Sequence, residues 1–180
     1  MAGRLKSVSK RRKTWREKLA DDKEFPQVSK ISPNNRPRWG TGTFVIAAPR
    51  EVDELMSRVP QGRLTTIDEL RKALAKRHKA TIACPITTGI FAWIAAHAAD
   101  EAEAEGARKT TPYWRTLKTK GEINPKYPGG IAGLKRKLIA EGHRIEKRGR
   151  KFYVRDFREK LAKLLGKPRR RPSVGNQLKF

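Results

Sequence analysis

Positive charge is the strongest constraint on this chain. Forty-three Lys and Arg residues stand against eighteen Asp and Glu, a formal net charge of +25 in 180 residues. Charged side chains make up 34% of the sequence and hydrophobic ones 37%, enough for a modest core and too little for a large one. So large an excess in so small a protein points to a polyanionic partner, nucleic acid first. The excess is uneven: residues 1–40 hold twelve cations and four anions, residues 41–140 seventeen and ten, residues 141–180 fourteen and four. The runs Lys10-Arg11-Arg12-Lys13 and Arg169-Arg170-Arg171 therefore read as basic arms that meet phosphate. No apolar run is long enough to span a bilayer and the N-terminus carries no apolar signal core. A single Cys84 leaves no internal disulfide. These features set the expectation of a cytoplasmic protein, nucleoid-associated if bacterial, with no membrane partner.

Along the chain, Trp15, Phe25 and Trp39 interrupt the basic N-terminal stretch and are expected to pin it to the core. Val52, Leu55, Met56 and Val59 recur at helical spacing and stop at Pro60-Gln61-Gly62. Thr66-Ile67-Asp68-Glu69 has the form of a capping box, and Ile67, Leu70 and Leu74 share a face of the helix it would open. Pro85 marks the first turn of a third helix from about Ile86 to Glu105, bulky in its first half, rich in Ala in its second and acidic at its far end. Only its N-terminal end suits phosphate. Two helices joined by a short turn suggest a helix-turn-helix. Ile131, Leu134 and Leu138 mark a further helix closed by Gly142, residues 143–154 read as a basic β-hairpin around Arg148-Gly149, and Phe157, Leu161, Leu164 and Leu165 predict a last helix.

Searches for catalytic chemistry return little. There is no Gly-rich phosphate loop, no HExxH and no paired-Cys motif, so neither a cofactor nor a metal is expected. His78, His97 and His143 lie far apart and, with one Cys, make a poor zinc set. The carboxylates of residues 100–105 read as a solvated helix end. Cys84, just before a helix N-terminus, is either an activated thiol or a small apolar residue packed between Ala83 and Pro85.

Three segments carry a resemblance. Val59-Pro60-Gln61-Gly62-Arg63-Leu64-Thr65-Thr66 is similar to the opening of the DNA-binding domain of O6-alkylguanine-DNA alkyltransferases and alkyltransferase-like proteins. Pro112-Tyr113-Trp114-Arg115 resembles their Pro-Cys-His-Arg or Pro-Trp-His-Arg motif. Lys126-Tyr127-Pro128-Gly129-Gly130, with Leu138-Ile139-Ala140-Glu141-Gly142-His143 beyond it, resembles the segments that close their pocket. The match spans roughly residues 52–145. It implies a winged helix-turn-helix that enters the minor groove and inspects a flipped-out guanine. By position Tyr113 stands where the nucleophilic Cys belongs and Trp114 where its His belongs; Arg115, Tyr127 and Glu141 are retained. The Tyr that follows the Thr-Thr turn in the family is Ile67 here, and the Arg that replaces the flipped base falls at or near Gly89. A phenol beside an indole supplies no thiolate, so alkyl transfer at that site is not expected; Tyr113, Trp114 and Tyr127 either offer aromatic faces to a base or alkyl group, or Tyr113 and Trp114 fill the vacated pocket as core.

The sequence thus sets these expectations. The fold is mainly α with a small β-hairpin (α+β), of winged helix-turn-helix type. Residues 1–48 form a basic, partly ordered N-terminal arm, 49–166 the domain and 167–180 a basic disordered tail. The protein is non-enzymatic and binds double-stranded DNA, alkylated guanine included, in the context of DNA repair and a repair-protein partner. Arg63, Thr65, Thr66, Thr87, Thr88, Arg115 and Lys126 contact DNA, and Tyr113, Trp114, Tyr127 and Glu141 line a pocket. Two alternatives stand beside this: a thiol-dependent enzyme using Cys84, and an RNA or ribosome binder.

Overall fold

The computed structural model describes residues 11–22 and 24–164. Its centre is a twenty-residue helix, α5 (Pro85–Ala104), with Pro at the first turn. Thr88, Phe91, Ala92, Ala95, Ala96, Ala98 and Ala99 of α5 are buried, and the small side chains of its second half let neighbouring helices approach closely. Three helices pack on it: α1 (Trp15–Leu19), α3 (Pro49–Ser57) and α4 (Ile67–Arg77). In α3 the predicted stripe of Val52, Leu55 and Met56 is buried, and Val59, two residues past the helix end, is buried as well. Thr66 caps α4 as the sequence predicts, its Oγ1 accepting from the Glu69 N–H at 3.2 Å. The helix α6 (Gly130–Ala140) buries Leu134 and Leu138, and the chain turns beyond it at Gly142, whose φ is +82°. A short helix, α2 (Arg36–Trp39), completes the set.

The expected α+β class stands, with more strand than the one predicted hairpin. Strands β1 (Gln27–Lys30) and β2 (Thr43–Ile46) are antiparallel, and β2 pairs in parallel with β4 (Ile82–Ala83) just ahead of α5. A second parallel pair joins β3 (Thr65–Thr66) to β5 (Thr116–Leu117). The predicted hairpin is present as β6 (Ile145–Arg148) and β7 (Lys151–Val154), joined through Gly149 at φ +59°.

Residues 14–22 and 24–48 of the expected arm are tied into this core. Trp15 stacks on His97 with ring centroids 4.5 Å apart, meets Trp93 edge-on at 4.6 Å, and Arg16 reaches Glu105 at 2.6 Å. Phe25 meets Phe91 at 5.5 Å, and Val45 of β2 is fully buried. The predicted last helix is a correction. Phe157–Lys160 make a single 3-10 turn, after which the chain runs extended. The backbone of Leu64 takes it up, its N–H donating to the Lys160 carbonyl at 2.9 Å and its carbonyl accepting from Ala162 N–H at 2.8 Å. An open strand edge thus outcompetes a short amphipathic pattern. Leu165, Lys10, Arg169–Arg171 and the predicted 167–180 tail lie outside the described residues. Among the described residues no helix is long and apolar enough to cross a membrane.

Candidate nucleic-acid interface

The four residues predicted to line a pocket come together, as a packed cluster and not around an opening. Tyr113 and Tyr127 are buried, their rings edge to face at 6.2 Å, and Tyr113 meets Trp114 the same way at 5.5 Å. Lys137 covers the cluster, its Nζ 3.4 Å from the Tyr113 hydroxyl and 4.4 Å from the Trp114 ring centroid. Burial raises the Tyr113 phenol against the opposing pull of Lys137, and burial pushes Tyr127 up strongly. Both stay protonated and neither is a nucleophile at neutral pH.

Glu141 is the hub beneath them. Its Oε1 accepts from Trp114 Nε1 at 2.8 Å and from Arg115 Nη2 at 2.7 Å, and its Oε2 from Arg115 Nε at 2.9 Å and from Gly62 N–H at 3.2 Å. Arg115 Nη1 donates to the Val59 carbonyl at 2.7 Å. Burial alone would raise the Glu141 carboxyl, but the hydrogen bonds from Arg115, Trp114 and Gly62 outweigh it and hold the group below the ordinary carboxylate range. Each oxygen of the carboxylate is engaged by two or more donors, and Arg115 commits its Nε, Nη1 and Nη2 to Glu141 and the Val59 carbonyl. The arrangement is a structural clamp on residues 59–62, 114–115 and 141.

An open cleft lies elsewhere. It encloses about 970 Å³ between one face of α5 and the segment 118–126, with Ile67 also in its lining. Ile86, Ile90, Trp93 and His97 supply the α5 wall; Ile86 is 56% and Ile90 46% exposed. Trp93 Nε1 donates to the Lys126 carbonyl at 3.1 Å and His97 Nε2 approaches it at 3.3 Å, which fixes the far segment against the helix. Lys118, Lys120 and Lys126 line the opposite side. Burial would raise Glu122 among them, but hydrogen bonds from Lys118 and Lys151 dominate and keep it ionised and compensated. Lys120 and Lys126 form no ion pair among the described residues. The hairpin adjoins this wall, since Ile123 N–H donates to the Phe152 carbonyl at 2.8 Å and Glu122 pairs with Tyr153. It adds Lys147 and Arg150, exposed and likewise without an ion pair among the described residues.

The remaining predicted contacts divide. Lys126 is exposed at the cleft, Thr87 is half-buried near the start of α5, and Arg63 is exposed with Nη1 3.3 Å from the Glu159 carbonyl. Thr65 and Thr66 are buried in β3, where parallel pairing with β5 turns an expected surface turn into core. Thr88 is buried too, its hydroxyl donating back to the Cys84 carbonyl at 2.7 Å. Cys84 is only 5% exposed. Among the described residues no three His, Cys, Asp or Glu side chains are placed to hold a metal ion. Sequence reasoning missed Lys118, Lys120 and the α5 wall. The signal was present: Ile86, Ile90, Trp93 and His97 make a stripe on the side of α5 opposite Thr88, Phe91, Ala92, Ala95 and Ala99, and a helix with two apolar stripes has one to spare.

No family model matches the sequence, and no curated protein matches it. Among solved structures the chain is similar to S. pombe Atl1, crystallised in complex with damaged DNA containing O6-carboxymethylguanine. The similarity covers 64% of this chain and 94% of that one, at 18% identity and a TM-score of 0.40. At that distance it assigns neither a fold family nor a function.

Proposed function

We propose that this protein binds double-stranded DNA without chemistry, as a winged helix-turn-helix of the alkyltransferase-like type. In this reading α4 and α5 are the helix pair, and the β6–β7 hairpin is the wing. The N-terminal end of α5 approaches the duplex, and the basic segments at both chain ends add phosphate contacts. The observation that carries it is the polarity of α5. Its first turns border the cleft with Lys118, Lys120 and Lys126, whereas Glu101, Glu103 and Glu105 sit at the far end, engaged by Arg16 and Lys137. A duplex docked on the first turns meets Lys120 and Lys126 with no carboxylate paired to either among the described residues, whereas one docked on the last turns meets three carboxylates beside Arg108 and Lys109.

The inspection pocket moves with the geometry. Tyr113, Trp114, Tyr127 and Glu141 are closed, so an unstacked guanine, alkylated or not, enters the 970 Å³ cleft and stacks against Trp93 and Ile90. Fluorescence anisotropy with two duplexes, one carrying O6-methylguanine and one plain guanine, tests both parts. Binding should weaken by about a thousandfold or more between low and moderate salt. It should favour the lesion, with unchanged intact protein mass. The triple substitution K118Q/K120Q/K126Q should weaken both complexes. Salt-independent binding refutes the phosphate reading. Equal affinity for the two duplexes refutes base inspection, and a mass gain on Cys84 would replace this reading with a transferase.

A further inference from the structure

The excursion between β1 and β2 is basic and free of acidic side chains. Residues 25–50 contain no Asp or Glu at all, while Lys30, Arg36 and Arg38 are exposed and form no ion pair among the described residues. Nor is this a loose loop. Ile31 N–H donates to the Gly42 carbonyl at 2.9 Å and closes its base, and Pro33 and Pro37 stiffen its tip. Thr43 and Thr81 exchange hydrogen bonds, each backbone N–H donating to the other's hydroxyl at 3.1 and 3.2 Å. Gly42, at φ +117°, lies so close that a Cβ there would overlap the Thr81 hydroxyl. The excursion is thereby stapled to the connection between α4 and α5, two residues from Lys79, which is also exposed and without an ion pair among the described residues.

This cluster lies across α5 from the cleft. The cleft uses Ile86, Ile90 and Trp93, whereas Phe91, on the opposite side of the helix, faces Phe25 at the entrance to β1. We propose that Lys30, Arg36, Arg38 and Lys79 form a second phosphate-binding flank. The duplex held at the N-terminal end of α5 is then gripped on both sides, by segment 118–126 and the hairpin on one and by the β1–β2 excursion on the other. The inference rests on the duplex-binding reading and extends its footprint. Four exposed cations on a rigid, acid-free support have little to do for the fold.

The test compares the full-length protein with K30Q/R36Q/R38Q/K79Q on one duplex over a range of salt. Each lost phosphate contact lowers the slope of log affinity against log salt by about 0.9, so the quadruple variant should lose about 3 to 4 units of slope, and R36Q/R38Q roughly half as much. Discrimination between O6-methylguanine and guanine should be unchanged, because the cleft is untouched. The melting temperature should hold, because all four side chains are exposed and form no ion pair among the described residues. A variant slope within one unit of the parent's, in a parent that binds duplex, overturns this inference and leaves the cleft reading in place. A parent that does not bind duplex at any salt overturns both.

Discussion

Replacing Glu141 with Gln should be among the most damaging isosteric changes available to this protein, although the sequence marks that residue as part of a binding pocket. The carboxylate is 8% exposed and receives donors from Arg115, Trp114 and Gly62 on its two oxygens; Arg115 is 13% exposed. Gln offers one acceptor oxygen, so its NH₂ must face at least one of those donors, and the guanidinium loses its counter-charge in a desolvated place. Breaking a buried pair in this way costs about 3 to 5 kcal/mol. In a chain of this size that is a fall in Tm of roughly 6 to 20 °C. The pH dependence has a definite sign. The folded carboxyl lies below its ordinary value, so its stabilisation is complete above the unfolded value of about 4.3 and is lost as pH falls through the folded one. Urea unfolding followed by Trp fluorescence should therefore show a constant gap between parent and E141Q from pH 8 to about 5, closing below about pH 4. Adding R115M should recover about 1.5 kcal/mol or more, since the second substitution removes the stranded charge. A gap under about 1 kcal/mol at pH 7, or a double variant no more stable than E141Q, would refute the clamp.

Three further outcomes follow from the packing. Trp15→Ala removes the stack on His97 and the edge contact with Trp93; α1 has only five residues, so it should detach, with trypsin cleavage after Arg16 and Lys18 accelerated and about 1 to 2 kcal/mol lost. Unchanged proteolysis would mean that α1 is held by other contacts. Tyr127→Phe deletes a buried hydroxyl that makes no well-formed hydrogen bond among the described residues, Asn124 being only a weak partner, so chemical denaturation should give a stability within about 1 kcal/mol of the parent's; a larger loss would show that the Asn124 contact is a full hydrogen bond. Cys84 should resist an aromatic disulfide reagent in the native protein and react fully once unfolded, and rapid stoichiometric labelling of the native form would restore the thiol as a candidate nucleophile.

Local signals transferred well from sequence to structure. The cap at Thr66, the Val52-Leu55-Met56 stripe, Pro85 at the first turn of α5 and the hairpin at Gly149 each depend on a few neighbouring residues, and each is found. What escaped depends on distant pairing. Thr65 and Thr66 look like an exposed turn until β5 arrives from fifty residues away in register with them. Ile82 and Ala83 become a strand only because Phe44 and Val45 lie alongside. The Phe157–Leu164 pattern is amphipathic at helical spacing, but only the edge beside Leu64 decides that it stays extended. For the candidate site, motif similarity gathered the right neighbours in Tyr113, Trp114, Tyr127 and Glu141. It said nothing of Lys137 lying over them or of four donors saturating one carboxylate. Those are facts of packing, and they turn a pocket into a keystone.

The seam at Leu64 also bears on how the protein is made. Leu64 opens the segment leading into β3 and α4, yet its backbone N–H and carbonyl are satisfied by Lys160 and Ala162, near the end of the described chain. A nascent chain that has released α3, α4 and α5 from the ribosome still carries that edge open, and closing it requires the most sequence-distant pairing among these elements. During synthesis the growing polypeptide would expose a short, unpaired β edge until Lys160 and Ala162 emerge. Chaperone capture or premature association should be greatest in that interval, and a truncation before Lys160 should reproduce it permanently.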